Sequence, residues 1–177
     1  MPAATVDKVS RFRQFHKKGA AFLFPNFWDA GSAKILEGLG FPALASTSSG
    51  FALTKARADY GVTREEVLSH ARDVCAAVDV PVAADLENGF GSAPEDCALT
   101  IREAGLTGLC GGSIEDSTGD RRRPVHEKQA AVERVRAAVE AAGNWGTYVT
   151  VHAYTPEALR RAIDAGVKCI EHTHLMD

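Results

Sequence analysis

The stretch Pro81-Val-Ala-Ala-Asp-Leu-Glu87 is a short apolar run that ends in two carboxylates. A strand without polar alternation is covered on both faces, as in a parallel sheet. Its chemistry sits at one end only. The same arrangement recurs along the chain. Ala21–Phe24 runs into Pro25-Asn26, Ala43–Ala45 into Ser46-Thr-Ser-Ser-Gly50, and Gly108–Ile114 into Glu115-Asp116. Tyr148–Val151 runs into His152, and Val167–Ile170 into Glu171-His172. Between these runs lie helix signals that end on glycine, in Ala33-Lys-Ile-Leu-Glu-Gly-Leu-Gly-Phe41, Ile101-Arg-Glu-Ala-Gly105, Val139-Glu-Ala-Ala-Gly143 and Ala162-Ile-Asp-Ala-Gly166. Glycine past a helix adopts the left-handed conformation that stops it.

Helix starts are equally regular. Thr63-Arg-Glu-Glu66 and Ser92-Ala-Pro-Glu95 read as capping boxes, and Thr155-Pro156 puts proline at the first helical position. Val67, Leu68, Ala71, Val74, Cys75 and Val78 keep the spacing of one buried helical face. Alternating strand and helix implies right-handed crossovers. Both an open doubly wound sheet and a barrel satisfy that order. Polar groups at every strand end favour the barrel, which converges all its strand ends on one mouth, whereas an open sheet concentrates chemistry at one switch point. The chain has no G-x-G-x-x-G after its first strand and no G-x-x-x-x-G-K-[ST]. The fold expected is α/β, a (β/α)8 TIM-barrel type truncated to about six βα units: six strands are counted, and 177 residues fall short of the roughly 200–250 of a typical barrel.

The composition, 45% hydrophobic and 24% charged, describes one globular domain with a core. A net charge of −3 gives no basic field, so nucleic acid is not an expected partner. No apolar run approaches the ~20 residues of a membrane span. Met1–Lys18 is polar and charged, without the apolar core of a secretory signal. Cys75, Cys97, Cys110 and Cys169 lack metal-binding or redox spacing and read as reduced core thiols of a cytoplasmic protein.

Asp85 and Glu87 are two apart on an extended segment, so both carboxylates take the same side. Glu115 and Asp116 end the next strand. Carboxylates gathered without a local arginine repel one another, and a hard divalent cation resolves that repulsion; Mg²⁺ commonly binds through one or two carboxylates plus water. The alternative is that these acids are helix N-terminal charges or salt-bridge partners. Gly89 and Gly91 let the backbone approach a ligand. Thr47-Ser-Ser-Gly-Phe51 reads either as a nest of backbone N–H groups for an anion or as a plain turn. Asp59 lies in the loop leaving the second strand, either reaching the mouth or solvated.

Four motifs in order, Pro25-Asn-Phe-Trp-Asp-Ala-Gly-Ser-Ala33, Ser46-Thr-Ser-Ser-Gly-Phe-Ala52, Asp85-Leu-Glu-Asn-Gly-Phe-Gly91 and Ser113-Ile-Glu-Asp116, resemble the isocitrate lyase/phosphoenolpyruvate mutase superfamily over residues 8–142. The resemblance implies a (β/α)8 barrel, Mg²⁺, and cleavage or rearrangement of C–C or P–C bonds in a small 2-oxo or enolpyruvyl acid through a metal-stabilised enolate. It implies Asp85 as the direct metal ligand, with Glu87 and Glu115 acting largely through metal-bound water. It implies Ser49, Gly50 and Phe51 as holders of the substrate's oxygens, and Asp59 as the catalytic acid beside the reacting group. The gating loop Lys-Lys-Cys-Gly-His of the superfamily's lyases is replaced here by Ser117-Thr-Gly-Asp-Arg-Arg-Arg-Pro124. Arg121, Arg122 and Arg123 either steer an anionic substrate or, the commoner case, form a solvated loop.

The arginine expected at the end of strand five is absent from Tyr148-Val-Thr-Val-His-Ala-Tyr-Thr155. Residues 148–177 are instead similar to strands five and six of metal-dependent amidohydrolases, where the positions of His152 and His172 ligate metal, with His174 two residues on. The H-x-H of that family's first strand and its lysine and aspartate have no counterpart. A join near Gly143-Asn144 would make the chain a chimera of two barrel pieces, 1–143 and 144–177. Three readings stand: a Mg²⁺-dependent lyase or phosphonomutase-like enzyme, a Zn²⁺ hydrolase using His152 and His172, and a catalytically inactive barrel fragment. The expected partners are a small anionic carboxylate and further copies of the chain, since an open barrel edge invites association.

Overall fold

The computed structural model describes residues 3–17, 21–144, 146–153 and 155–172, the side chains of 3–6 and 171–172 excepted. The elements are α1 (Ala3–Phe15), β1 (Asn26–Phe27), α2 (Ala30–Gly38), β2 (Leu44–Ser46), α3 (Ser48–Thr54), α4 (Arg64–Ala77), β3 (Val82–Asp85), α5 (Pro94–Gly105), β4 (Gly111–Ser113), α6 (Lys128–Gly143), β5 (Val149–Ala153), α7 (Pro156–Asp164) and β6 (Cys169–His172). The architecture is α/β, with strands ordered as in the chain. The chain divides into two compact units, Met1–Asp85 with Glu103–Gly111, and Leu86–Arg102 with Gly112–Asp177.

In the first unit β1, β2 and β3 pair in parallel, with Asn26 opposite Ala45 and Leu44 opposite Val82. Phe27, Leu44, Val74, Val78 and Val82 are buried at its core. Each such side chain contributes roughly 1.5–3 kcal/mol by leaving water. Helix α4 presents Val67, Leu68, Ala71 and Val74 inward, as the helical spacing predicts, and the Thr63–Glu66 capping box closes its start. A second box, Asp29 with Ser32, starts α2. The first strand is displaced from its expected place: residues 21–24 form no strand, and the ladder begins at Asn26. Phe22 and Phe24 stack on each other, and both pack against His16, while Leu23 between them is exposed. That alternation is a strand's, but helix α1 rather than a neighbouring strand takes the apolar side, through Phe12 against Phe24.

In the second unit β4, β5 and β6 pair in parallel, with Ser113 opposite Thr150 and His152 opposite Glu171. Val135, Val151, Leu159, Ala162 and Val167 form its core. Thr155 caps α7 by accepting from the Ala158 N–H, and Pro156 occupies the first turn. The expected box at Ser92 does not form; α5 starts at Pro94, and the Asp96 carboxylate accepts from the Ala93 N–H at 2.9 Å. Gly105 and Gly143 stay inside their helices, whereas Gly40 and Gly166 take the left-handed conformation expected of them. No described helix is long and apolar enough to cross a membrane.

Candidate metal centre and substrate site

Asp85 is the last residue of β3. Its N–H donates to the Ser46 hydroxyl at 2.9 Å, and its Oδ2 accepts from the Ser48 N–H at 3.4 Å. Ser46, at the end of β2, thus holds the Asp85 backbone, and Ser48, at the start of α3, meets its carboxylate. Ser49 is exposed on α3, while Gly50 and Phe51 are buried. The Gly50 N–H donates to Thr47 Oγ1 at 3.4 Å and the Phe51 N–H to the Thr47 carbonyl at 3.0 Å. These two amides belong to the helix cap, so the nest reading does not hold for them. An added Cβ on Gly50 would lie 2.6 Å from both Thr47 Cγ2 and Trp28 Cδ1. Asp59 is exposed in the turn that follows α3.

The acidic loop opens the second unit. The Leu86 N–H donates to the Ser113 carbonyl at 3.2 Å, and the Glu115 N–H to the Glu87 carbonyl at 3.0 Å, so strand-like pairing continues past both strand ends. Glu87 is 3% exposed and has φ 51°, and Phe90 has φ 58°. A left-handed conformation costs a non-glycine residue roughly 1–2 kcal/mol, so the surroundings must hold both. The holding contacts are on carbonyls. Thr100 Oγ1 donates to Gly89 O at 2.7 Å; the Arg134 guanidinium donates to Gly91 O at 2.6 Å and to Asn88 O. Asn88 Oδ1 accepts from the Phe90 N–H at 3.0 Å. Gly89 is itself left-handed, and a Cβ there would meet Cys97 Sγ at 2.8 Å. Arg134, 1% exposed, was not anticipated from the sequence, where it sits unremarked on a helix of charged and apolar residues.

Glu115 and Asp116 are half-buried. They border a cavity of about 60 Å³ that also meets Ile114, Val151, His152 and Arg161. That volume takes a water or two, not an organic acid. His126 N–H donates to the Asp116 carbonyl at 2.9 Å; burial and then Arg134 hold its imidazole below the ordinary histidine range. Arg121, Arg122 and Arg123 are exposed on a loop that Ser117 and Val125 close by an antiparallel bridge, with Thr118 N–H donating to Pro124 O at 3.0 Å. Their exposure is compatible with both the solvated and the steering reading.

Among the described residues, no group of three or more His, Cys, Asp and Glu side chains is close enough to hold a metal ion by protein contacts alone. The donor set of Asp85, Glu87 and Glu115 is all carboxylate oxygen. That chemistry fits Mg²⁺, which takes few protein ligands and keeps its waters. It does not fit zinc, which favours nitrogen and sulfur. Of the histidines proposed for zinc, His152 has Nε2 3.3 Å from the Ser113 hydroxyl. The side chain of His172, and all of His174, lie outside the described residues.

Comparison with known proteins follows the same lines. The chain is 31% identical over 116 residues to the 2-methylisocitrate lyase of Halalkalibacterium halodurans, a match over 65% of this chain and 38% of that one. A crystal structure of a Burkholderia cenocepacia protein described as a lyase/mutase superposes with TM-score 0.89 at 39% identity, over 94% of this chain and 64% of that one. A phosphonopyruvate hydrolase, solved in complex with oxalate and Mg²⁺, shares the fold with TM-score 0.84 at 20% identity, over 92% of this chain and 62% of its own. The chain thus spans less than two thirds of the length of these relatives. The family model for phosphoenolpyruvate phosphomutase matches residues 12–171. It runs unbroken across Gly143-Asn144 and through His152, so the expected amidohydrolase segment and chimeric join are corrected. The α/β fold and the match over residues 12–171 together make this chain a member of the phosphoenolpyruvate phosphomutase family.

Proposed function

We propose that this chain carries the acidic half of a Mg²⁺-dependent lyase or phosphonomutase-type site that cleaves or rearranges a C–C or P–C bond of a small 2-oxo or enolpyruvyl acid. The observation that supports it most is the buried, left-handed Glu87, whose carbonyl pairs with the N–H of Glu115. A fold that buries a carboxylate at a strained position beside a second carboxylate-bearing strand end spends stability on placement, as functional sites do. The lyase and mutase names of the relatives point the same way.

In this reading Asp85 would hold the metal directly, and Glu87 and Glu115 would hold it through its waters. A bound Mg²⁺ would supply positive charge to the substrate's oxygens. The Ser49 hydroxyl, exposed at the start of α3, donates to a substrate carboxylate. Asp59 holds or delivers a proton from its carboxyl oxygen at the reacting carbon or leaving oxygen. The Ser48 N–H on its carboxylate and the Ser46 hydroxyl on its backbone hold Asp85 at the end of β3.

Calorimetric titration with Mg²⁺ tests the reading. Wild type binds, and Asp85→Ala abolishes binding; unchanged affinity in the variant rules the assignment out. A Mg²⁺-dependent screen of 2-oxo acids, phosphonates and methylisocitrate-like compounds then separates lyase from mutase chemistry.

A further inference from the structure

We propose that Arg134 is a positioning residue for the acidic loop: by holding the carbonyls of Asn88 and Gly91 it keeps Glu87 in its buried left-handed conformation. The inference rests on the metal reading above for what that placement serves, but not for the clamp itself.

A guanidinium 1% exposed loses most of its hydration and must be repaid by acceptors. Among the described residues Arg134 has no carboxylate partner: its guanidinium donates to two backbone oxygens, of Asn88 and Gly91. Its Nε is buried without a hydrogen-bond partner among the described residues. A group in that position was not placed for its own stability, since an apolar residue of similar volume would avoid the desolvation altogether. What the arrangement does achieve is local. The two carbonyls flank Gly89 and Phe90, both left-handed, and lie just after Glu87, also left-handed. Thr100 takes the intervening carbonyl, of Gly89. Three carbonyls of the loop are thus held from outside, two of them by one planar fork, which a lysine's single ammonium cannot imitate. The anchor is carried by α6, a helix of sixteen residues, so the loop takes its register from a rigid element.

The sign of the effect on cation binding distinguishes this role from an electrostatic one. A positive charge near a cation site repels the cation, so on charge alone Arg134→Met tightens Mg²⁺ binding. Positioning predicts the opposite. The test uses Arg134→Met, Arg134→Lys and, for charge removed from the exposed side of the same helix, Arg136→Met. Two measurements are made on the folded proteins: Mg²⁺ affinity by calorimetry, and hydrogen exchange at the amides of Gly89 and Glu115, which donate to Leu86 and Glu87. Expected for Arg134→Met are 10–100-fold weaker Mg²⁺ binding, the range seen when groups that orient metal ligands are removed, and exchange at those two amides faster by at least tenfold. Arg134→Lys falls between, and Arg136→Met matches wild type in both. Unchanged or tighter Mg²⁺ binding in Arg134→Met overturns the positioning role. If wild type shows no Asp85-dependent affinity, the metal reading fails, and exchange alone decides: unchanged protection overturns the clamp, and faster exchange confined to the loop upholds it. Should Arg134→Met not fold, Arg134→Lys decides by the same two readouts.

Discussion

The backbone N–H of Glu115 donates to the carbonyl of Glu87 at 3.0 Å, so two carboxylate-bearing residues from different strand ends are backbone neighbours. Their main chains are fixed to each other whatever their side chains carry. Glu115→Gln therefore removes a charge without loosening the pairing. The expected result is Mg²⁺ affinity lower by about 10–100-fold with an unchanged melting temperature. Equal affinity in the variant would remove Glu115 from the metal set.

The strands and helices were legible because their signals are local. Thr63 with Glu66, and Thr155 with Pro156, cap helices where the sequence put them. The buried face of α4 follows from spacing alone. Strand one was misplaced because Phe22 and Phe24 look the same to a reader whether they face a sheet or helix α1. For the candidate site, residue types singled out Asp85, Glu87 and Glu115, but gave no conformation: nothing in the letters shows that a glutamate will take φ 51°. Arg134 was invisible for the complementary reason. Its partners are carbonyls, which every residue has, and they lie more than forty positions away.

Gly50 sits against Trp28 and Thr47 with no room for a methyl group, since an added Cβ would come within 2.6 Å of each. Gly50→Ala must push the indole aside or shift α3, at a cost of about 1–3 kcal/mol. Gly38, at the end of α2, has nothing within 4 Å of the same atom. Gly38→Ala is expected to be neutral or to stabilise by about 0.4–1 kcal/mol. Urea denaturation of both variants measures the difference. Trp28 fluorescence should shift only in Gly50→Ala.

Burial pushes the Cys75 thiol up to about 12, and raises those of Cys97 and Cys110 as well. At pH 8 a thiol with that pKa is ionised to about one part in ten thousand, and the thiolate is the species that reacts. Labelling with an aromatic disulfide at pH 8 should leave these three cysteines unmodified in the native protein and modify all of them in denaturant. Rapid native labelling of Cys75 would contradict its placement.

His70 on α4 stacks on Phe51, with ring centroids 4.1 Å apart, and its Nε2 is buried without a hydrogen-bond partner among the described residues. Burial lowers its pKa from the ordinary 6.5; Asp73 and Asp29 oppose the shift and Lys55 adds to it. A base whose folded pKa lies below its unfolded one is neutral in both states above the unfolded value, so its contribution is fully present there. As pH falls below about 6.5 the unfolded chain takes up the proton before the folded one does, and stability is lost until the folded pKa has been passed. His126, lowered in the same direction, adds to the same window. The melting temperature of wild type should therefore drop between pH 7.5 and pH 5, and His70→Phe, which keeps the ring stack and removes the titration, should drop by less. A variant whose melting temperature falls as far as wild type over that range would show that protonation of His70 is not resisted by the fold.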